Sequence, residues 1–183
     1  MKWLSVLILL LGIDCLRGQP AQIIIIRHGE ETPSNSVHLS ARGQQRAEAL
    51  AFFFTTNGIA RRHGSPVALF APHPTLHGSK RSEETLFPTS RRLHVPIQGT
   101  FAQQQYWALA QSLLHNRRYR GKTVVIAWIH TWIPRMIAAL GVRPMPPPIN
   151  STVYDRLYVI AYGTNGVTFR NLPQHLLPGD SPQ

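Results

Sequence analysis

Ile23-Ile24-Ile25-Ile26-Arg27-His28-Gly29-Glu30 is the stretch that decides the fold of this chain. Consecutive isoleucines read as a strand covered on both faces, because a strand with one wet face alternates apolar and polar residues. The run breaks off at a cation, an imidazole and a glycine, none of which suits a core. In open α/β sheets the carboxyl ends of the strands are where ligands bind. Two readings of the break stand at this point: a ligand-facing loop, or a polar turn in which Gly29 serves only the bend.

Working outward, Val67–Phe70 and Thr123–Ile129 repeat the pattern of a short, almost wholly apolar run. Helical segments lie between the runs. Ser40 is placed to cap a helix over Ala41–Phe54, with Ala47, Leu50, Phe53 and Phe54 on one face and Arg42, Gln45, Arg46 and Glu48 largely off it. Asn57-Gly58 ends that helix. Lys80–Leu86 opens a second, its carboxylates in the first turns where the helix dipole favours them, and Pro88 ends or bends it. An extended piece is expected over Leu93–Ile97, and a third helix over Phe101–His115 with Ala102, Leu109, Leu113 and Leu114 inward. Ile133–Leu140 is helical, with Pro134 in its first turn. Leu157–Tyr162 and Val167–Arg170 flank Asn165-Gly166, a strong hairpin signal. Strand and helix alternate through most of the chain. The expected architecture is therefore α/β: a three-layer α/β/α sandwich whose sheet is mainly parallel with an antiparallel edge hairpin. The tail Pro173–Gln183 is Pro-rich and expected to be loosely pinned.

The chain of 183 residues suits one domain. Its start differs in composition: Lys2 precedes the apolar block Leu4–Leu11 with Ile13, short for a membrane span and of the size of a signal-peptide core. Residues 1–20 are read as a signal peptide without a clean cleavage site, and 21–183 as the mature domain; an uncleaved anchor is the other reading. The expectation is export, periplasmic or secreted, with no stable membrane span once the signal is removed. Removal would also take Cys15, the one cysteine, and with it any disulfide, thiolate nucleophile or cysteine-held metal. The formal charge of +11 favours anionic partners, although a solubility surface has the same composition. Arg91-Arg92 and Arg117–Lys122 read as solvated charge, and apart from Tyr119 no aromatic interleaves with them, so no specific nucleic acid is expected. His63, His73, His77 and His94 read as surface histidines rather than metal ligands.

Superposing the strand ends gathers the chemistry. Arg27-His28 follows one expected parallel strand, His130 follows another, and Arg81 begins the helix after a third, so all project to one rim of the sheet. Two guanidiniums and two imidazoles in one basin suit a phosphate. Arginine binds its oxygens bidentately and stays charged. A neutral imidazole can attack phosphorus, and a second, protonated imidazole can stabilise charge on the transferring oxygens.

Arg27-His28-Gly29-Glu30, Leu39-Ser40 with Gly43, Arg81 with Thr85, and Val124–His130 together resemble the histidine phosphatase (phosphoglycerate mutase-like) superfamily. The segment Gly121–His130, with Ile133-Pro134 beyond it, is similar to a compact bacterial branch of that family. The resemblance runs from about Gln22 to Gly141. It implies that His28 is the nucleophile, that Arg27 and Arg81 hold the phosphate, and that His130 completes the pocket. Catalysis would form and then hydrolyse a phosphohistidine, with no cofactor and no metal. The implied partner is a small phosphorylated substrate; no oligomeric state follows. Mutase chemistry fits less well, since mutases carry insertions over the site and this chain is short.

Two departures qualify the resemblance. Thr131 stands where the family often has glycine, so its hydroxyl binds phosphate beside Arg27, Arg81 and His130, or its bulk narrows the pocket. Larger members place a carboxylic acid between the arginine and the second histidine to protonate the leaving group. Here Asp and Glu are absent from Thr85 through Tyr154, and the corresponding region is Gln103-Gln104-Gln105. Glu30, Glu31, Glu84 and Asp155 are the replacements open to the chain, with Glu84 equally suited to pair structurally with Arg81. A phosphatase acting on a phosphomonoester or phosphoramidate is the first expectation, weak if the acid is missing. A relative that only binds phosphorylated or polyanionic envelope ligands is the second.

Overall fold

A computed structural model of the chain describes residues 18–32, 37–73 and 79–181. Residues 1–17, most of the segment expected to be a signal peptide, with Cys15, and His77 lie outside the described residues. Six strands form one sheet: Gln22–Arg27 (β1), Ala68–Phe70 (β2), Ile97–Gln98 (β3), Thr123–Trp128 (β4), Arg156–Gly163 (β5) and Gly166–Pro173 (β6). Their order across the sheet is β3-β2-β4-β1-β5-β6. β1, β2 and β3 run parallel to β4 or to one another, and β5 and β6 continue antiparallel beyond β1.

The helices are Ala41–Thr56 (α1), Gly58–Arg61 (α2), Arg81–Leu93 (α3), Tyr106–His115 (α4) and Ile133–Ala139 (α5). Alternation along the isoleucine strand sorts them into two layers. Ile23 and Ile25 pack with Leu109, Leu113, Ile133 and Met136 of α4 and α5. Ile24 and Ile26 pack with Leu50, Phe54 and Leu86 of α1 and α3. The sandwich has the three layers expected of it, and burial on both faces is why the strand needs four isoleucines rather than two.

Four local expectations are corrected. α3 runs through Pro88 to Leu93, so the extended piece shrinks to Ile97–Gln98. A proline inside a helix costs about 3 kcal/mol through its missing N–H and its ring, and buried Leu86 and Thr89 on either side offset that cost. The helix expected from Phe101 starts at Tyr106, because Gln103–Gln105 bury nothing and form a 3-10 turn instead. Arg46 is only 1% exposed. The Pro-rich tail is docked, not loose: Gln174 and Asp180 both accept from Arg46, at 2.9 and 2.7 Å. At the other end of the chain, the Gln19 carbonyl accepts from the Gly121 N–H at 3.1 Å, which joins that residue to the folded body.

The N-terminus of α1 is lashed to the loop after β1. Ser40 Oγ caps the helix by accepting from the Gly43 N–H and donates to the Glu30 carbonyl, both at 3.1 Å. The Ser40 N–H donates to the same carbonyl at 2.9 Å. Gly43 and Gly29 cross here in near contact. A Cβ on Gly43 would lie 2.4 Å from the Glu30 carbonyl oxygen, and one on Gly29 2.8 Å from the Gly43 oxygen. Gly43→Ala is accordingly expected to cost at least the roughly 1–3 kcal/mol typical of overpacking, since the obstacle is backbone. Thermal unfolding of the variant, with Gly58→Ala as a control that meets nothing within 4 Å, measures it.

Candidate active site

β1 and β4 are neighbours in register, with Arg27 opposite Trp128, and the ladder extends one residue through the His28 N–H to the Trp128 carbonyl at 3.1 Å. His28 and His130 therefore leave the sheet at the carboxyl ends of adjacent parallel strands. Arg81 is the first residue of α3, which follows β2 on the other side of β4. The structure thus brings Arg27, His28, Arg81 and His130 to one rim. Thr131 stands exposed on the turn beyond it, with no hydrogen bond to any of the four among the described residues.

His28 forms the floor, 2% exposed. Its Nδ1–H donates to the Gly29 carbonyl at 2.8 Å, which leaves Nε2 as the nitrogen carrying the lone pair. Burial pushes the imidazole down to about 3, against the pull of the Gly29 bond, and the charges of Arg27, Arg81 and His130 push the same way. His28 is neutral at pH 7. His130 is also lowered, first by burial and then by Arg27 and Arg81. Its Nδ1 is buried without a hydrogen-bond partner among the described residues. A group left so costs about 1–3 kcal/mol, a cost that an incoming acceptor would remove.

Arg27 is fixed from above by a loop far along the chain. Its Nη1 donates to the carbonyls of Ser151 and Val153, at 2.6 and 3.1 Å, and its guanidinium carbon sits 3.7 Å from the centre of the Tyr154 ring. That stacking and clamping leaves Nη2 on the side of Glu31, 3.8 Å from Oε1. Arg81 donates through Nε to Ser79 Oγ at 2.8 Å and is ion-paired through Nη1 with Glu31 Oε2. Thr85, one turn into α3, joins the two halves of the site. It accepts from the Gly29 N–H at 2.8 Å and donates to the Arg81 carbonyl at 2.6 Å. Thr85→Val keeps the shape but strands the buried Gly29 N–H. A loss of about 1–3 kcal/mol in unfolding free energy is expected, checked by denaturant titration.

The four carboxylates open to the chain now separate. Glu30 faces Arg46 at 2.7 Å and Arg42 at 3.1 Å. Glu84 accepts from His38 at 2.5 Å and from the Leu39 N–H at 2.9 Å. Asp155 accepts from the Ser181 N–H. Of the four, Glu31 is the one paired with Arg27 and Arg81, and Tyr154 Oη donates to it at 3.2 Å. Period-two alternation in an extended chain would have placed residues 27 and 31 on one side and 28 and 30 on the other; that signal was present in the sequence. Tyr154 and the carbonyls of Ser151 and Val153 carried no local signal. The Gln103–Gln105 turn is held at the end of β4, where the Trp128 indole N–H donates to the Gln103 carbonyl at 3.1 Å.

No protein-family model matches this sequence, and no curated protein matches it either. Its structure has clear likenesses. The YhfR protein of Bacillus stearothermophilus is 16% identical with a TM-score of 0.57, over 85% of this chain and 97% of its own. A mutant phosphoserine phosphatase of Entamoeba histolytica in complex with phosphoserine is 17% identical with a TM-score of 0.55, over 85% and 99%. The phosphoglycerate mutase of Bacillus anthracis is 10% identical with a TM-score of 0.53, over 86% and 94%. The chain has the phosphoglycerate mutase-like α/β fold.

Proposed function

We propose that the chain is a histidine phosphatase that hydrolyses a small phosphomonoester or phosphoramidate through a phosphohistidine on His28. One observation carries this: a neutral imidazole whose Nδ1–H is fixed on a carbonyl stands at the same rim as two guanidiniums and a second neutral imidazole. Nε2 of His28 attacks phosphorus and the alcohol departs; water then displaces the imidazole. Arg27 and Arg81 would hold the phosphoryl oxygens, which such transfer needs because its charge spreads over them. His130 would donate to one of them, and the Gly29 carbonyl would hold the Nδ1–H of the phosphorylated ring. Thr131, on the turn that follows His130, would offer its hydroxyl to the same phosphate. The likeness to phosphatases of the same fold supports the reaction class.

Export to the periplasm or medium is part of the proposal, on the strength of the apolar start of the chain. Fractionation of cells expressing the full chain tests it. For the activity, the purified protein is incubated with an aryl phosphate beside His28→Ala, and acid-labile, base-stable phosphate on the wild type is sought during turnover. Wild type and variant equally inactive, yet both binding phosphorylated ligands, would favour the binding protein instead.

A further inference from the structure

Glu31 is the most exposed of the three charged side chains that meet at Arg27 and Arg81. Its side chain is 32% exposed, against 3% for Arg27 and 13% for Arg81. Among the described residues it is the one carboxylate ion-paired with either arginine. The nucleophile is buried, so a leaving group in line with it departs toward solvent, and Glu31, held by the Tyr154 hydroxyl, is the carboxylate on the exposed side of Arg27 and Arg81. The glutamines of 103–105 have no proton to give, and Glu30, Glu84 and Asp155 are engaged elsewhere.

We propose that Glu31 has two duties in turn: it occupies the anion seat of the empty site, and it becomes the acid that protonates the leaving oxygen once a phosphate takes that seat. The proposal rests on the phosphatase assignment. The proton arrives with the substrate, since a phosphomonoester whose second ionisation lies near about 6 enters in part as the monoanion. Its oxygens displace the carboxylate from Arg27 and Arg81, and its proton passes to the freed Glu31. The lone pair of His28 Nε2 then forms the P–N bond as the P–O bond breaks. The electron pair goes to the leaving oxygen, which takes the proton from Glu31. In the second step Glu31, again a carboxylate, accepts a proton from water as the water oxygen bonds to phosphorus. The P–N bond breaks with its pair returning to Nε2. Inorganic phosphate leaves with the proton from Glu31, and the carboxylate returns to the arginines.

Leaving-group dependence separates this from a structural ion pair. Wild type, Glu31→Gln, Glu31→Asp and His28→Ala are compared on an alkyl phosphate and on p-nitrophenyl phosphate, and inorganic phosphate binding is measured by calorimetry. In kcat/KM, which reports the transfer to His28 and not the hydrolysis common to all esters, Glu31→Gln is expected to lose about 100-fold or more on the alkyl ester, the range of general acid catalysis. On the aryl ester, whose oxygen leaves without help, the loss should be roughly tenfold or less. Glu31→Asp should recover part of the alkyl activity, and Glu31→Gln should bind inorganic phosphate more tightly than wild type, having no charge to compete for the arginines. Equal losses on the two esters, no loss on either, or no gain in phosphate affinity would overturn the assignment to Glu31 while leaving the phosphatase intact. A wild type no faster than His28→Ala on every ester would overturn the phosphatase assignment itself, and this one with it.

Discussion

His28→Ala is expected to lower turnover of p-nitrophenyl phosphate by roughly 10⁴-fold or more, the scale seen when a covalent nucleophile is removed. Removing it takes away the P–N bond but leaves Arg27, Arg81 and His130, so phosphate should still bind and KM should change far less than kcat. The pH dependence is equally specific. His28 is held near about 3 by burial and by the neighbouring cations, so it stays an unprotonated nucleophile well below neutral pH. An acid limb in kcat/KM assigned to His28 should appear only as pH approaches 3, not near the 6.5 of an ordinary imidazole. A direct NMR titration in which the His28 ring took up its proton near 6.5 would contradict this. The same shift has a cost in stability. The unfolded chain takes up a proton at this imidazole below 6.5 and the folded one does not until about 3, so acidification through that window favours unfolding.

Arg46→Ala is expected to be the most destabilising single substitution after those that touch the isoleucine strand. Arg46 is bidentate toward Glu30 and also bonds Asp180 and Gln174, and its side chain and that of Asp180 are 2% and 3% exposed. Removing one member of a buried ion cluster leaves the others uncompensated, typically at about 3–5 kcal/mol. For a chain of this size that is a fall in Tm of roughly 10 °C. The neighbouring Arg42, 44% exposed on the same two carboxylates, should matter by less than about 1 kcal/mol when replaced by Ala, because solvent screens it. Burial alone would raise Asp180, but Arg46 and the N–H groups of Leu176 and Leu177 outweigh it and hold the carboxyl at about 2. Its contribution is therefore complete above its ordinary 3.8 and is lost as pH falls toward 2, and Arg46→Ala should abolish that part of the acid dependence. Thermal melts of the two variants from pH 7 to 2 measure both effects. Since Glu30 follows Gly29 and is gripped by Arg46, the cluster also steadies the loop that carries His28.

Much of this was open to a reader of the chain because it is local. A run of isoleucines can be satisfied only between two helix layers, and a break into Arg27-His28-Gly29 at its end can only lie at the rim. Parallel strands that all end at one edge then bring Arg81 and His130 there as well, so Arg27, His28, Arg81 and His130 converge without any knowledge of side-chain conformation. Pro88, by contrast, misled because a local cost was outweighed by burial on both sides of it. Arg46 misled for the opposite reason. One cation on a helix face looks like solvated charge until partners from elsewhere cover it.

Those partners mark the boundary between sequence and tertiary structure. Alternation, capping and turn chemistry act over a few residues, and they set the strands, the helices and the rim on which the histidines stand. Which carboxylate faces the arginines, what covers Arg27 and what buries Arg46 were decided by Tyr154, Asp180 and the 151–153 carbonyls. Only the folded chain brings these within hydrogen-bonding distance. No periodicity encodes such a meeting, because it depends on how β5, the tail and the loop before them come to lie beside β1.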